Sequence, residues 1–183
     1  MQILQQGVSA KLKISVITAV RNRVGTVGEA LDSVRSQSWS NVEHIVIDGA
    51  STDGTLQLLE GRRNEIAKLV SERDSGIYDA LNKGIALATG DVIGLMHSDD
   101  LYADEHVLAD IGTAFLNPDV DAVYGDLDYV SQDDTRRVIR RWRSGEYSPD
   151  RLAQGWMPPH PTLYLRRRVI DRWGGFDDSL RIA

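Results

Sequence analysis

The sequence predicts an α/β fold, a mostly parallel central sheet flanked by helices, with a smaller and less regular part after residue 118. Three observations carry that prediction. Strand-like and helix-like segments alternate four times between Ile14 and Leu116, the order that parallel strands with crossover helices require. The strand-like segments are short β-branched runs, as in strands buried on both faces. The helix-like segments repeat apolar residues at helical spacing, which gives each one a face for the sheet.

In chain order, Ile14–Ala19 (ISVITA) reads as a buried strand, followed by a helix over Thr26–Ser38 with Val27, Ala30, Leu31 and Val34 on one face. Val42–Asp48 (VEHIVID) is the second strand. Asp53 can cap a helix carrying Leu56, Leu59, Ile66 and Leu69. A short strand is expected around Leu69–Glu72, then a helix over Tyr78–Ala88, with Gly90 as its stop. Val92–Met96 (VIGLM) is a fourth strand, and Asp104–Leu116 a helix closed by Asn117-Pro118. Beyond it, Asp121–Asp126 and Arg136–Trp142 read as strands joined across the turn-rich Ser131–Asp134. A short helix over Ser148–Ala153, a rigid loop at Pro158–Pro161, a strand over Thr162–Arg166 and a helix over Arg168–Trp173 complete the series. The expectation is a loose tail over residues 1–12 and one domain over 13–183, its halves meeting after residue 118.

Size and composition set limits. The 183 residues suit one domain, and 42% hydrophobic with 26% charged residues is ordinary for a soluble globular chain. The formal charge of −6 argues against general nucleic-acid binding, because a phosphate backbone would be repelled. The absence of cysteine excludes disulfides, thiolate metal sites and cysteine nucleophiles. No apolar run approaches the roughly 20 residues that span a bilayer, and Met1 to Lys13 has no signal-peptide core. A cytoplasmic protein is expected, with peripheral membrane contact left open. The run Arg136, Arg137, Arg140, Arg141, Arg143 would carry such contact, or would be the solvated face of a strand.

Ligands of open parallel sheets bind beyond the carboxyl ends of the strands. Each of the first four strands delivers polar residues there: Thr18 to Asn22, Asp48 to Asp53, Glu72 to Asp74, and His97 to Asp100. Adjacent carboxylates such as Asp99 and Asp100 need a cation or donors between them, and hard oxygen ligands suit Mg²⁺ or Mn²⁺. The alternative is a solvated turn or helix cap. Asp48, after three apolar residues, needs a hydrogen-bond donor if buried, such as a base imide N–H or a ribose hydroxyl; the alternative is a cap or turn residue with Gly49. Lys83 can approach a phosphorylated ligand as a point charge, or remain a solvated lysine.

The segments VITAVRN, IVIDGASTDGT, SERDSGIYDALNKGIALATGDVIGLMHSDD and GGFDDSL, in this order and spacing, resemble the family 2 glycosyltransferases, inverting enzymes with the GT-A fold. The resemblance runs from about Lys13 to the end. It implies a nucleotide-sugar donor with uridine favoured, and a carbohydrate or lipid-linked acceptor in polysaccharide or glycolipid assembly. By position it implies Thr18, Ala19 and Arg21 at the base and Asp48 at base or ribose. It implies Asp99 near the ribose and Asp100 as the main ligand of Mg²⁺ or Mn²⁺. Asp53 and Lys83 complete the donor-binding set. Residues 13–118 then form the nucleotide-binding half and 119–183 a partial acceptor-side half. His160, between prolines, is placed near the donor–acceptor cleft, or else is a structural histidine; Trp142 and Trp156 offer flat faces to a sugar or to the core. Two departures stand out. His97 occupies the place where many relatives have a first aspartate. The acidic residue that serves as catalytic base in the family is expected just beyond Ala183, so the chain reads as a family member cut short. A donor-binding module without transfer is the alternative. A nucleotidyltransferase is a further one, weakened by a first-strand loop poor in glycine.

Overall fold

The computed structural model describes residues 12–179. Eight strands and six helices follow one another: β1 (Ile14–Val20), α1 (Val27–Arg35), β2 (Val42–Asp48), α2 (Thr55–Gly61), β3 (Lys68–Ser71), α3 (Ile77–Leu87), β4 (Val92–Leu95), α4 (Val107–Ala114), β5 (Ala122–Val123), β6 (Leu127–Val130), β7 (Val138–Trp142), α5 (Pro149–Ala153), β8 (Tyr164–Arg166) and α6 (Arg167–Trp173). The main sheet has the order β3-β2-β1-β4-β8-β5. Its first four strands are mutually parallel, while β8 runs antiparallel to β4 and to β5. The expected α/β architecture is therefore present, with an antiparallel edge that the local pattern did not announce.

Period-two alternation along β1 sorts its side chains to the two faces. Ile14 and Val16 join Val92, Ala30, Val34, Leu108, Phe115 and Tyr164 under α1 and α4. Ile17 and Ala19 join Ile45, Ile47, Leu95, Ala80 and Leu81 under α3. A third cluster, with Val27, Leu31, Val46, Leu59 and Ile66, packs α1 against α2. Cover on both faces buries every residue of β1, so polar groups for a ligand are found at the strand ends.

Three expectations are corrected. The helix after Asp53 stops at Gly61. Ile66 lies beyond a 3-10 turn at Arg63–Glu65, and Leu69 pairs with Val46 in β3. Their helical spacing was coincidental, since Arg62 leaves the helix at φ −112° and its guanidinium bonds Glu65 and the Gly28 carbonyl. The segment 121–126 does not pair with β7. Ala122 and Val123 instead join β8, and the partner of β7 is β6, with Tyr129 opposite Arg140. The loop at Pro158–Pro161 contains a 3-10 turn, His160–Thr162. Of the tail expected over 1–12, only Leu12 lies among the described residues, and its carbonyl accepts from Trp39 Nε1 at 3.0 Å.

Candidate active site at the carboxyl ends of the parallel strands

The tips of β1 and β2 are laced together. Gly49 N donates to the Val20 carbonyl, Asn22 N to Ser51 Oγ, and Thr52 N to Asn22 Oδ1, each at 2.8 Å. Asn22 and Ala50 hold left-handed backbone, φ 53° and 55°, so both loops turn sharply at the rim. At the tip of β2, Asp48 is wholly buried. Its Oδ2 accepts from Ser71 Oγ at 2.6 Å and from Ser51 N at 3.1 Å. Its Oδ1 is buried without a hydrogen-bond partner among the described residues. A carboxylate oxygen in that condition costs free energy until a donor reaches it.

At the tip of β4 the chain turns through His97 to Asp100, with Asp100 N bonded to the His97 carbonyl at 3.2 Å. Burial pushes the Asp100 carboxyl above the usual carboxylate range; the Asp99 charge adds to this, while His97 and His160 oppose it. A carboxylate disfavoured by desolvation beside a second one is a fit for a hard cation. Among the described residues no three His, Asp or Glu side chains converge as ligands. That still suits Mg²⁺ or Mn²⁺, which often take one or two carboxylates and complete their shell from phosphates and water.

His160 reaches the same rim from the other half. Its Nε2 stands 2.9 Å from His97 Nε2, with the two rings edge to face. One ring donates and the other accepts, so this hydrogen bond ties the β4 tip to the turn before β8. Lost hydration and then the neighbouring His97 lower the His160 pKa, and Asp100 opposes them. Thr162 Oγ1, in the same turn, donates to the Gly125 carbonyl at 3.0 Å. Near Gly125, Tyr124 packs edge-on to Trp156, whose Nε1 donates to the Ser144 carbonyl.

Other candidates have prior engagements. Thr18 is fully buried and its hydroxyl meets His44 Nε2 at 3.0 Å, so its side chain does not face the rim. Ala19 is 9% exposed at the end of β1. Asp53 precedes the N-cap, which is Gly54. The Asp53 carboxylate accepts from Thr55 N and Oγ1 and from Val24 N. Lys83 is bound by Glu72 Oε1 (2.9 Å), Asp79 Oδ2 (3.3 Å) and the Arg73 carbonyl (3.1 Å). In the arginine run, Arg136, Arg141 and Arg143 pair with Asp134, Asp128 and Asp126 of the same hairpin, and Arg140 stacks over Tyr129 and Trp142. That is the solvated strand face rather than a bare cationic patch. The position expected for the catalytic base lies outside the described residues; Asp177 Oδ1 accepts from Ser179 N and Oγ.

Sequence reasoning did not single out Ser71, which holds Asp48, or the closeness of Asp74 to Gly49. A Cβ on Gly49 would overlap the Asp74 carboxylate and lie 3.4 Å from Arg21 Cβ. A glycine directly after the strand-tip aspartate was the signal available for that approach.

Comparison with known proteins shows the family and the fold. The sequence model of glycosyl transferase family 2 matches residues 15–173. An uncharacterized glycosyltransferase of Mycobacterium tuberculosis is 41% identical over 178 residues, covering 93% of this chain and 64% of its own length. A PGL/p-HBAD biosynthesis glycosyltransferase of Mycobacterium bovis is 30% identical over 177 residues, covering 92% of this chain and again 64% of its own length. The chain thus spans just under two thirds of these curated relatives. Among solved structures, a mannosyltransferase from Pyrobaculum calidifontis in complex with GDP-Man and Mn²⁺ superposes with TM-score 0.70 at 23% identity, over 94% of this chain and 49% of that one. S. aureus TarS in complex with UDP superposes with TM-score 0.69 at 21% identity, over 94% and 52%. These likenesses establish the GT-A fold.

Proposed function

The chain belongs to glycosyl transferase family 2, and on that premise we propose that it binds a nucleoside-diphosphate sugar and passes the sugar to an acceptor hydroxyl with inversion. The observation that carries the reading is the buried, unpartnered Oδ1 of Asp48 at the tip of β2. A nucleobase N–H or a ribose hydroxyl supplies the donor it lacks. The complexes of the two solved relatives, one with GDP-Man and Mn²⁺ and one with UDP, support a donor of this class.

In this reading Asp48 holds the nucleoside, with Ser71 and the Ser51 amide fixing its other oxygen. Asp99 and Asp100 hold Mg²⁺ or Mn²⁺, which when bound neutralises charge on the departing diphosphate. The acceptor hydroxyl gives its proton to a general base as its oxygen bonds to the anomeric carbon and the bond to diphosphate breaks on the opposite face. His160, oriented by His97, lies on the acceptor side, where it can hydrogen-bond the incoming hydroxyl or a diphosphate oxygen. Polysaccharide or glycolipid assembly is the setting the family suggests, with a carbohydrate or lipid-linked acceptor.

Calorimetric titration of nucleoside diphosphate tests this. Binding is expected to strengthen at least tenfold with Mn²⁺, and Asp100→Ala is expected to remove that gain. Equal affinity with and without Mn²⁺ in the parent protein would sink the metal-assisted donor site.

A further inference from the structure

We infer that Asp74 selects the base of the donor, and that the base it selects is guanine rather than uracil. The inference rests on the reading of this rim as a nucleotide-sugar site, and it runs against the uridine preference that the family resemblance implies. Two residues of opposite charge meet at Gly49, and Asp48 precedes it in the chain. Asp74, half-buried after β3, brings its carboxylate to where a Cβ on Gly49 would stand, and Arg21 lies against the same point from the end of β1. Neither side chain has a hydrogen-bond or ion-pair partner among the described residues, although their charges are opposite and both adjoin one glycine. The residue before that glycine is Asp48, whose fully buried carboxylate keeps Oδ1 unpartnered.

The chemistry of the missing ligand follows. Two carboxylates of adjacent strand tips, with no cation paired to either, call for several N–H donors in a row. Guanine presents N1–H beside N2–H₂, a continuous donor edge that two carboxylates can share. Uracil presents a single N3–H between two carbonyl oxygens, so the second carboxylate would face an acceptor and repel it. Arg21 fits the remaining guanine edge, since the guanidinium fork matches O6 and N7. Gly49 lets the Asp74 carboxylate approach this closely, because any side chain there would displace it. Asp48 Oδ1 is closed off from solvent.

The test is calorimetric titration of GDP and of UDP, with Mn²⁺ present, into the parent chain and into Asp74→Ala and Asp74→Asn. GDP is expected to bind roughly tenfold more tightly than UDP, the scale of one well-formed base-edge contact. Asp74→Ala is expected to weaken GDP about tenfold and to leave UDP unchanged or slightly tighter, and Asp74→Asn, which keeps one acceptor, to fall between. UDP binding as tight as GDP in the parent chain overturns the base choice and leaves the donor site standing. A GDP preference that survives Asp74→Ala removes Asp74 from the role. Failure of both nucleotides to bind overturns this inference and the nucleotide-sugar reading together. The parent-chain ratio of GDP to UDP decides the base even if a variant does not fold.

Discussion

Tyr164 packs against Gly94 at the point where β8 meets β4, and a Cβ on Gly94 would overlap the edge of its ring. The ring is 1% exposed and packs with Phe115, Leu108 and Val92, so it has nowhere to go. Its hydroxyl meets that of Tyr102, two residues beyond Asp100. Gly94→Ala is therefore an overpacking substitution, expected to cost about 1–3 kcal/mol and to lower the urea midpoint without changing the slope. An unchanged midpoint would mean that the ring shifts freely, against the packing described. At this scale the sequence showed which polar residues stand at the strand tips. Asp48 was legible because three apolar residues before it mark a strand tip, and Asp99-Asp100 because adjacent carboxylates there need compensation. The engagements of Thr18 and Lys83 were not, and that of Asp53 only in its bond to Thr55 N at the start of α2, because the others depend on partners brought in by folding. Thr18 is held by His44 from the next strand, Asp53 by Val24 from the first loop, and Lys83 by Glu72 across the start of α3.

The short helix α5 shows how an element far from the main core is held. It has five residues and no buried side chain, so packing contributes little. Its start is fixed by Ser148, whose side chain accepts from Arg151 N, and by Pro149 in the first turn, where no N–H is needed. Arg151 then stacks over Trp156 at 4.9 Å, which links the helix to the aromatic cluster beside the rim. Ser148→Ala should cost about 1 kcal/mol locally. The expected result is amide exchange roughly fivefold faster across Arg151–Gln154, with little change in the global melting temperature. No change in exchange would show that the stacking on Trp156 alone holds the helix. Apart from the helix after Asp53, which was read on to Leu69 but stops at Gly61, elements of the parallel half were read within a few residues of their ends, because period and β-branching are local signals. The hairpin was half missed for a physical reason. Residues 121–126 and 127–130 both carry short apolar stretches without a clear period, and the choice between them is made by β8, some forty residues later, which captures Ala122 and Val123.

Across the whole molecule, the end of the sheet opposite the proposed site governs the response to acid. Glu43 and His44 adjoin in β2, each 5% exposed. Burial pushes the Glu43 carboxyl up, but hydrogen bonds from Ser15 Oγ, Thr89 N and Oγ1 and Lys13 outweigh it and hold the pKa at about 2, against 4.5 unperturbed. Burial alone lowers His44 to about 4 from 6.5. Both shifts make the unfolded chain bind more protons than the folded one, so both make stability fall as pH falls. His44 contributes in full above about pH 6.5, and its share is lost between 6.5 and 4. The share of Glu43 is complete above 4.5 and is lost between 4.5 and 2. Each shift spans on the order of 3 kcal/mol. The two windows adjoin, so unfolding free energy should decline steadily from near neutrality down to pH 2, with no plateau. Urea titrations at half-unit intervals, on the parent chain and on Glu43→Gln, separate the two. The variant, less stable at pH 7, should lose much of the slope below pH 4.5 and keep the slope between 6.5 and 4.5. Parallel curves over the whole range would show that Glu43 is not the group titrating, and that its network at the base of β1, β2 and β4 does not couple folding to protons.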